Sequence, residues 1–501
     1  MKRCRESLLA GLLLATAVTA CASAPPARPA AGTATGAPPA TLATATASPA
    51  TPEMPTPSTP PAPEPAPAPL FPSTYHPIPA PPTLLKNATV LTAAGDRIEG
   101  GSVLFKDGKI VAVGREVAAP AGAVVVDATG KWVTPGIIDI HSHLGVYASP
   151  EVEGLEDGNE ATDPVTADVW AEHSVWPQDP QFPLALAGGV TSMEILPGSA
   201  NLIGGRSVTV KNVPARTVQE MKFPGAPYGL KMACGENPKR VYGSKGRPPS
   251  TRMGNIAGDR EAWAKAVDYK KKWDYYYDKV KRGEKSEPPS RDIEMETLAG
   301  VLSGEIRVQN HCYRADEMAQ MIDVAKEFGY KIAAFHHAVE SYKIADLLAK
   351  EGICSAMWAD WWGFKMEACD GIRENIALVE KAGACAIVHS DSADGIQRLN
   401  QEAAKAMAAG NRAGIPMTRE QAIRWITINP AKAMGIDRQT GSLEPGKMAD
   451  VVLWSGDPFS VYSRAEKVYV DGALLYDRND PKRQPEMDFS LGMTDAAGGV
   501  R

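Results

Sequence analysis

The chain has 501 residues, enough for about two or three domains, and its 44% hydrophobic and 22% charged residues are ordinary for a folded globular protein. The formal net charge of −6 and the absence of a long basic run argue against a nucleic-acid-binding surface. Small molecules or short peptides are the partners that this composition favours.

The N-terminus has the features of an export signal. Basic residues among the first five precede an apolar run over residues 8–20, which is shorter than the roughly 20 residues that a membrane-spanning helix needs. Cys21 follows, and the tetrapeptide Val-Thr-Ala-Cys that it ends resembles a bacterial lipobox, whose cysteine is acylated. We therefore predict a lipoprotein signal peptide over residues 1–21, with an ordinary signal peptide and a chance cysteine as the alternative. Because Ala22 rather than Asp follows, the resemblance implies an exported protein, lipid-anchored in the cell envelope on the periplasmic side of the outer membrane.

Residues 22–82 consist almost entirely of Ala, Pro, Thr and Ser. Such a composition buries too little apolar surface to offset the entropy lost on ordering the chain. The high proline content favours extended stretches. We predict a disordered tether that holds the folded body away from the membrane, so that the lipid anchor is the only membrane contact.

Two groups of short β segments flank the centre of the chain. The first lies in residues 83–135, where Asp107-Gly108 predicts a hairpin, and the second in residues 431–485, before a tail over residues 486–501. Between them, over residues 136–430, apolar strand-like runs alternate with helical periodicity, which indicates βα units in a parallel sheet or barrel. The interval suits eight units. Charged and aromatic runs in residues 256–300 interrupt the alternation and predict a helical insertion on the surface.

The chain has seven cysteines, of which Cys4 would leave with the signal and Cys21 would carry lipid. An odd number at wide spacing does not indicate a disulfide framework, although an exported compartment would permit one bridge. We expect the remaining cysteines to be mostly buried thiols: Cys234, Cys312, Cys354, Cys369 and Cys385.

A candidate metal site follows the apolar, β-branched run that begins at Val133. The run is typical of a buried strand and leads into His141-Ser142-His143. Side chains alternate along a strand, so the two histidines point to the same side, about 7 Å apart along the chain. Two imidazoles that converge from one rigid strand can hold Zn²⁺ or a similar divalent ion.

The sequence Val-Thr-Pro-Gly-Ile-Ile-Asp-Ile-His-Ser-His, over residues 133–143, resembles the first barrel strand of the amidohydrolase superfamily. Within it the chain is most similar to the imidazolonepropionase-like group. The resemblance implies a (β/α)8 TIM barrel whose metal ions, one or two and by preference Zn²⁺, activate water. It also implies a small β-sandwich built from both chain ends, and residues 441–450 resemble the family's re-entry into it. Two unrelated β appendages are the alternative.

The resemblance supplies a bridging ligand in residues 229–238. In many amidohydrolases a strand lysine reacts with CO₂ to give a carbamate that bridges two metals, and in others a glutamate takes that role. Lys231 is the first candidate and Glu236 the alternative. A lysine that merely pairs with a carboxylate is the third interpretation.

The remaining ligands come from later strands. By resemblance to the family, His311 and His337 are metal ligands, each at the end of a strand, and Asp391 is both a ligand and the group that takes the proton from water. Because neighbours on a strand alternate, we expect His336 to face away from the site. His389 should pack deeper in the barrel.

Two further loops resemble those of the imidazolonepropionase-like group, and the alternative is that they serve only as packing or plain loop structure. The residues predicted to shape the substrate pocket are Asn201, Trp361, Trp362 and Lys365.

Together these features predict a metal-dependent hydrolase of a C–N bond in an amide, a cyclic amide, an N-acylated amino acid or a dipeptide. Asp391 would act as general base and then as general acid. One alternative is a deaminase of a heterocyclic amine, for which Glu340, three residues after His337, could supply the proton. A catalytically silent envelope lipoprotein that binds a ligand is the other. The sequence leaves the oligomeric state open.

Overall fold

The structure, a computed structural model, describes residues 70–485. The predicted signal peptide, the lipidation site Cys21, most of the predicted tether and the tail over residues 486–501 lie outside the described residues.

Within residues 70–485 the chain forms strands and helices that we number in chain order. The strands are β1 (Thr83–Val90), β2 (Ile98–Lys106), β3 (Lys109–Gly114), β4 (Val124–Asp127), β5 (Trp132–Pro135), β6 (Ile137–Ser142), β7 (Val190–Ile195), β8 (Ile203–Lys211), β9 (Gly229–Ala233), β10 (Arg307–Cys312), β11 (Ile332–His337), β12 (Cys354–Met357), β13 (Cys385–Val388), β14 (Val451–Trp454), β15 (Ala465–Val470) and β16 (Ala473–Asp477). The helices are α1 (Gln181–Ala187), α2 (Val218–Met221), α3 (Glu236–Gly243), α4 (Arg252–Lys281), α5 (Ile293–Leu302), α6 (Ala315–Phe328), α7 (Ala345–Glu351), α8 (Asn375–Lys381), α9 (Leu399–Arg412), α10 (Arg419–Arg424) and α11 (Ile428–Met434).

One eight-stranded sheet, β6 to β13 in chain order, forms a nearly closed barrel. All of its strands are parallel except β8, which runs antiparallel to both β7 and β9. The prediction of eight uniform βα units is therefore wrong at β8. The connection from β7 to β8, residues 196–202, contains Pro197 and Gly198 and is too short for the crossover of about a dozen residues that a parallel strand requires.

The residues between α10 and α11 close the barrel between its first and last strands. Ile138 of β6 donates its backbone N–H to the carbonyl of Ile426 at 2.9 Å, and Val388 of β13 donates to the carbonyl of Trp425 at 3.0 Å. At the carboxyl ends of the same two strands, the backbone N–H of Asp391, which follows β13, donates to the carbonyl of His141 in β6 at 3.1 Å. The first and last strands thus hold their terminal residues side by side.

A second eight-stranded sheet contains strands from both ends of the described chain, in the order β16-β15-β14-β5-β1-β2-β3 with β4 beside β1. Its apolar core includes Leu85 and Phe105 from the first group of strands and Val451 and Leu453 from the last. The predicted joining of the two chain ends is therefore present as one hydrogen-bonded sheet. Its division into the two layers of a sandwich stays a prediction.

A buried ionic cluster connects the barrel to this second sheet. Lys211 at the end of β8 is fully buried, and its Nζ lies 3.1 Å from Asp450 and 2.7 Å from Asp471. The Tyr75 hydroxyl donates to Asp471 at 2.5 Å. Tyr75 lies in the predicted tether, so the tether's boundary at residue 82 is wrong: a buried aromatic ring and its hydrogen bond fix this part of the chain to the folded body.

The interval 256–300, predicted as a helical insertion, contains most of α4 and most of α5. Thr251 caps the N-terminus of α4 by accepting a hydrogen bond from the Gly254 N–H. Among the helices of residues 70–485, none combines the length and the apolar composition that crossing a membrane would require.

The cysteine prediction is wrong, because the structure contains two disulfides. Cys234, which directly follows β9, pairs with Cys312 on the neighbouring strand β10, and Cys354 pairs with Cys385 on β12 and β13. The alignment of adjacent parallel strands brings each pair to Cα–Cα distances of 5.2 Å and 4.4 Å, which suit a disulfide. Cys369 is a free, exposed thiol.

Candidate metal centre

Nitrogen and oxygen donors gather at the carboxyl ends of the parallel barrel strands, where barrel active sites are built. His141 lies in β6 and His143 just beyond it, and Lys231 lies in β9. His337 is the last residue of β11, and Asp391 follows β13. The predicted ligands therefore share one edge of one sheet.

These five donors lie close to one another. The Nε2 atoms of His141 and His143 are 3.3 Å apart, and Oδ1 of Asp391 lies 3.4 Å and 3.2 Å from them. Lys231 brings its Nζ to 3.4 Å from Nε2 of His141. Oδ2 of Asp391 lies 3.8 Å from Nδ1 of His337. Several nitrogen and oxygen donors therefore converge on one region, an arrangement that a bound cation stabilises.

His311 completes the set. It lies in β10, and its ring centroid is 4.5 Å from that of His337. Both ring nitrogens of His311 and Nδ1 of His337 are buried and, within residues 70–485, have no hydrogen-bond partner. Buried polar atoms normally find a partner, so orphaned nitrogens beside one another indicate that a ligand supplies it. A metal ion fits these donors.

The protonation states also suit a metal. Burial, helped by the neighbouring Lys231, lowers the pKa of His141 and His311 well below 6.5, and burial with its histidine neighbours does the same for His337. Neutral imidazole is the form that binds metals. Burial raises the pKa of Asp391, but the adjacent His143 and nearby positive charge outweigh that effect and lower it, so the carboxylate is the favoured form.

His143 is oriented by the backbone. Its Nδ1 is 2.8 Å from the carbonyl oxygen of Leu196, which can only accept a hydrogen bond, so Nδ1 carries the proton. The lone pair of the neutral ring is then on Nε2, the atom that faces His141 and Asp391. An outer partner that fixes the tautomer in this way is the usual companion of a metal-bound histidine.

Lys231 is fully buried, and its Nζ donates to the carbonyl of Pro197 at 2.9 Å. Within the described part of the chain no carboxylate lies within 4.0 Å of it, which disfavours the interpretation of a simple ion pair. Burial lowers the pKa of Lys231 to about 8. Glu236, the alternative bridging ligand, lies instead at the start of α3, 3.5 Å from Lys365, and is not among the converging donors.

The predicted orientation of His336 is wrong. His337 has a left-handed φ of 66°, which breaks the alternation of the strand, and both rings lie within 4.8 Å of the His141 ring. Asp391 also has a positive φ, of 51°. A non-glycine residue in this region costs about 1–3 kcal/mol and such residues cluster at functional sites.

His389 is buried, as predicted, but its nitrogen also lies within 4.8 Å of donors on His141 and His337. Its Nε2 accepts the backbone N–H of His337 at 3.1 Å, so that lone pair is already used. Glu340, the proton donor of the deaminase alternative, accepts the backbone N–H of Ala315 at 2.9 Å and pairs with Lys343. These contacts assign Glu340 to the structure of its loop.

A cavity of about 500 Å³ opens over the donors and is lined by His143, Asp391, Tyr147 and Trp361, among others. Of the residues predicted for the substrate pocket, only Trp361 lines it. Asn201 is buried and donates to two loop carbonyls and the Thr166 hydroxyl, so it lies outside the lining of this cavity.

The other two predicted pocket residues lie beside this cavity rather than in its lining. Trp362 packs against a small aromatic cluster that includes Tyr313 and Trp358. Lys365 donates to Asn237 at 3.0 Å, and its Nζ lies 4.2 Å from the centre of the Tyr313 ring. Both predictions therefore fail for this cavity, because the loop after β12 turns only Trp361 toward it.

One residue that the sequence interpretation missed is Asp139. It is fully buried in β6, where Oδ1 accepts the backbone N–H groups of His141 at 3.1 Å and Ser390 at 3.3 Å. The Ser390 hydroxyl donates to Oδ2. Asp139 thereby sets the spacing between His141 and Asp391. A lone carboxylate inside an apolar strand was the signal that could have identified it.

Comparison with known proteins agrees with this geometry. The pattern of the Amidohydrolase family matches residues 311–476. An amidohydrolase from Thermotoga maritima, whose crystal structure is known, is 38% identical and superposes with a TM-score of 0.72, covering 79% of this chain and 100% of that one.

Two curated relatives extend the comparison. Amidohydrolase tasK from Hapsidospora irregularis is 33% identical over 432 residues, which cover 79% of this chain but 43% of that protein, so the chain spans less than half of its length. An imidazolonepropionase from Mesorhizobium japonicum is 24% identical over 395 residues, 71% of this chain and 87% of that protein. The chain belongs to the amidohydrolase family of hydrolases, which act on carbon–nitrogen bonds.

Proposed function

We propose that this hydrolase depends on one or two divalent metal ions, of which Zn²⁺ suits the nitrogen-rich donors best. The observation that carries the proposal is the convergence of imidazole nitrogens from His141, His143 and His337 on the Asp391 carboxylate at the carboxyl edge of the barrel. Beside them, the ring nitrogens of His311 are buried and have no hydrogen-bond partner among the described residues. The residues that would hold the metal are His141, His143, Lys231, His311, His337 and Asp391.

Lys231 would act as a ligand after reaction with CO₂. A protonated amine repels a cation, whereas the carbamate offers two anionic oxygens. The position of Nζ, 3.4 Å from Nε2 of His141 and with no carboxylate within 4.0 Å among the described residues, supports this role.

A bound divalent ion would lower the pKa of a water molecule toward about 7 and polarise the scissile carbonyl. The remaining chemistry belongs to Asp391. Its carboxylate reaches the cavity, with a quarter of the side chain exposed, and can accept the proton of the attacking water. The same oxygen would then return that proton to the departing nitrogen, so that each turnover leaves Asp391 ionised.

The substrate would be a small molecule or a short peptide with an amide, such as a cyclic amide, an N-acylated amino acid or a dipeptide. A cavity of about 500 Å³ is within the range of about 300–1,000 Å³ that small ligands occupy.

A product-detected screen of these three classes with Zn²⁺ or Mn²⁺ present tests the proposal. We expect amine or acid release from at least one class, and a decrease in kcat of about 10²–10⁴-fold in Asp391→Asn, because that change removes the proton acceptor. Turnover of all classes at background rates, or equal rates for wild type and Asp391→Asn, would refute it. Ammonia release from purines or pyrimidines would favour the deaminase, and a protein that takes up no metal would favour the silent lipoprotein.

We also propose that the protein works outside the cytoplasm as a lipid-anchored enzyme. The support is the N-terminal sequence that ends at Cys21 and the two disulfides in the folded body, since disulfides persist in oxidising compartments such as the periplasm.

A further inference from the structure

Beneath the metal centre, a line of buried polar side chains runs through the barrel interior. Nδ1 of His336 lies 2.8 Å from Nδ1 of His141, and Nε2 of His336 lies 2.9 Å from Oε1 of Gln309. Nε2 of Gln309 donates to Glu194 at 3.1 Å, and the Ser207 hydroxyl donates to the other oxygen of Glu194. All five side chains are buried.

The hydrogen bonds in this line have one consistent direction. Both oxygens of Glu194 accept, one from the NH₂ group of Gln309 and the other from the Ser207 hydroxyl, which leaves the carbonyl oxygen of Gln309 facing His336. That oxygen also only accepts, so Nε2 of His336 carries the proton. Nδ1 of a neutral His336 ring is then an acceptor.

This orientation of His336 determines which ring nitrogen of His141 carries the proton. Because Nδ1 of His336 accepts, Nδ1 of His141 must carry the proton of that 2.8 Å hydrogen bond, and the lone pair of His141 is left on Nε2. Nε2 is the atom that lies 3.3 Å from Nε2 of His143 and 3.4 Å from Asp391. The opposite tautomer would place two lone pairs against each other in a buried site.

We infer that His336, oriented by Gln309 and Glu194, is a positioning residue that selects the tautomer of His141 and aims its Nε2 lone pair at the metal. The inference rests on the proposed function, because it needs a metal centre to act on. His336 would thus leave the lone pair of His141 on Nε2, just as the carbonyl of Leu196 leaves the lone pair of His143 on Nε2.

A matched pair of variants tests the inference. In His336→Gln the side-chain amide can replace both hydrogen bonds of His336, because its oxygen can accept from His141 and its NH₂ group can donate to Gln309. In His336→Met the side chain has a similar length but can make neither hydrogen bond. The readouts are the Zn²⁺ affinity of the metal-free protein, from competition with a chromogenic chelator, and the visible absorption spectrum of the Co²⁺ form.

We expect His336→Met to weaken Zn²⁺ binding by about 10–100-fold, the usual loss when an outer partner of a metal ligand is removed, and to shift the Co²⁺ bands. His336→Gln should restore most of the affinity and the wild-type spectrum. If His336→Met does not fold, Gln309→Met, which removes the acceptor for Nε2 of His336, should weaken Zn²⁺ binding in the same direction.

Three results would overturn the inference. Wild-type affinity and spectrum in His336→Met, or in Gln309→Met where the former does not fold, would show that the line does not act on the metal. Equal losses in His336→Gln and His336→Met would assign His336 to packing alone. A wild-type protein without any Zn²⁺ or Co²⁺ affinity would instead overturn the proposed metal-dependent function, and the inference with it.

Discussion

Oδ1 of Asp391 lies 3.2 Å from Nε2 of His143, and this contact joins the residues that follow the last strand of the barrel sheet to those that follow the first. The hydrogen bond from the Asp391 N–H to the carbonyl of His141 keeps the two chain segments together. The position of the proposed metal ligands therefore depends on closure of the barrel as well as on the residues themselves.

His143→Ala should remove the metal and the activity while the fold survives. Outer partners of metal ligands alone are worth about 10–100-fold in affinity, so loss of a ligand should weaken Zn²⁺ binding by more than about 100-fold. The His143 side chain is partly exposed and contributes little to the core. Zn²⁺ titration, turnover and circular dichroism measure the three properties. His76→Ala, at an exposed histidine, is the control and should match wild type. Full turnover of His143→Ala in metal-free buffer would rule out the assignment.

Lys231 decides between a one-metal and a two-metal centre. Lys231→Ala should lower the metal content to one ion or fewer per chain, because the carbamate bridge is lost. Small carboxylic acids in the buffer should partly restore activity by occupying the vacated space. Elemental analysis and turnover provide the measurements.

Glu236→Gln is the matched control for Lys231→Ala, and its effect should be mild, since Glu236 contacts Lys365 rather than the converging donors. The opposite pattern, with metal lost in Glu236→Gln and normal turnover in Lys231→Ala, would assign the bridge to the glutamate.

The sequence could predict the order of the candidate ligands along the chain and the strands that carry them. His141 and His143 share a side because strand residues alternate, and His311, His337 and Asp391 each lie at or just beyond the end of a strand-like segment. The same rule failed at His336, because the positive φ of His337 turns the backbone at the end of β11 and puts both rings inside the barrel. A local backbone conformation of this kind is imposed by tertiary packing and leaves no mark in the pattern.

Long-range register was the part that sequence could not predict. Cys234 and Cys312 are separated by 78 positions and become partners only when β9 and β10 align. The antiparallel direction of β8 was likewise hidden, because an apolar run has the same composition in either direction. Asn201 was placed in the substrate pocket from loop similarity, yet its hydrogen bonds hold the neighbouring loop of residues 160–166.

Acid should destabilise wild type more than His389→Gln. Burial lowers the pKa of His389 to about 4, whereas in the unfolded chain it is about 6.5. Between these values the unfolded state binds more protons, so the wild type loses unfolding free energy as the pH falls, by about 1.4 kcal/mol per pH unit from this group. His389→Gln has no titrating group at this position and so does not lose this part of its unfolding free energy in acid. Its amide oxygen can still accept the His337 N–H.

Urea titrations of both metal-free proteins at pH 7.5 and 5 measure the effect as a difference. Taking the difference cancels the other groups, including Asp139 and Glu194, whose pKa burial raises to about 7 and whose contribution has the opposite sign. We expect the free energy of unfolding of His389→Gln to rise relative to wild type on going to pH 5, by about 2 kcal/mol. A constant difference at the two pH values would contradict the assignment of a buried, neutral His389.

Cys21→Ser should release the protein from the membrane fraction without harming catalysis, because the lipid would be attached to Cys21 and the donors lie in the barrel. Cell fractionation, mass spectrometry of the N-terminus and a turnover assay provide the measurements. Cys369→Ser, at the exposed thiol, is the control and should leave the protein in the membrane fraction. A wild-type protein that is membrane-bound but unacylated would end the lipoprotein interpretation.

The most direct test of the metal-dependent function is removal and return of the metal. Elemental analysis of the purified protein should find one or two divalent ions per chain. A chelator should abolish hydrolysis of the amide substrate, and Zn²⁺ or Mn²⁺ should restore it to wild type but not to His143→Ala. Undiminished hydrolysis by protein shown to contain no divalent ion would contradict the account.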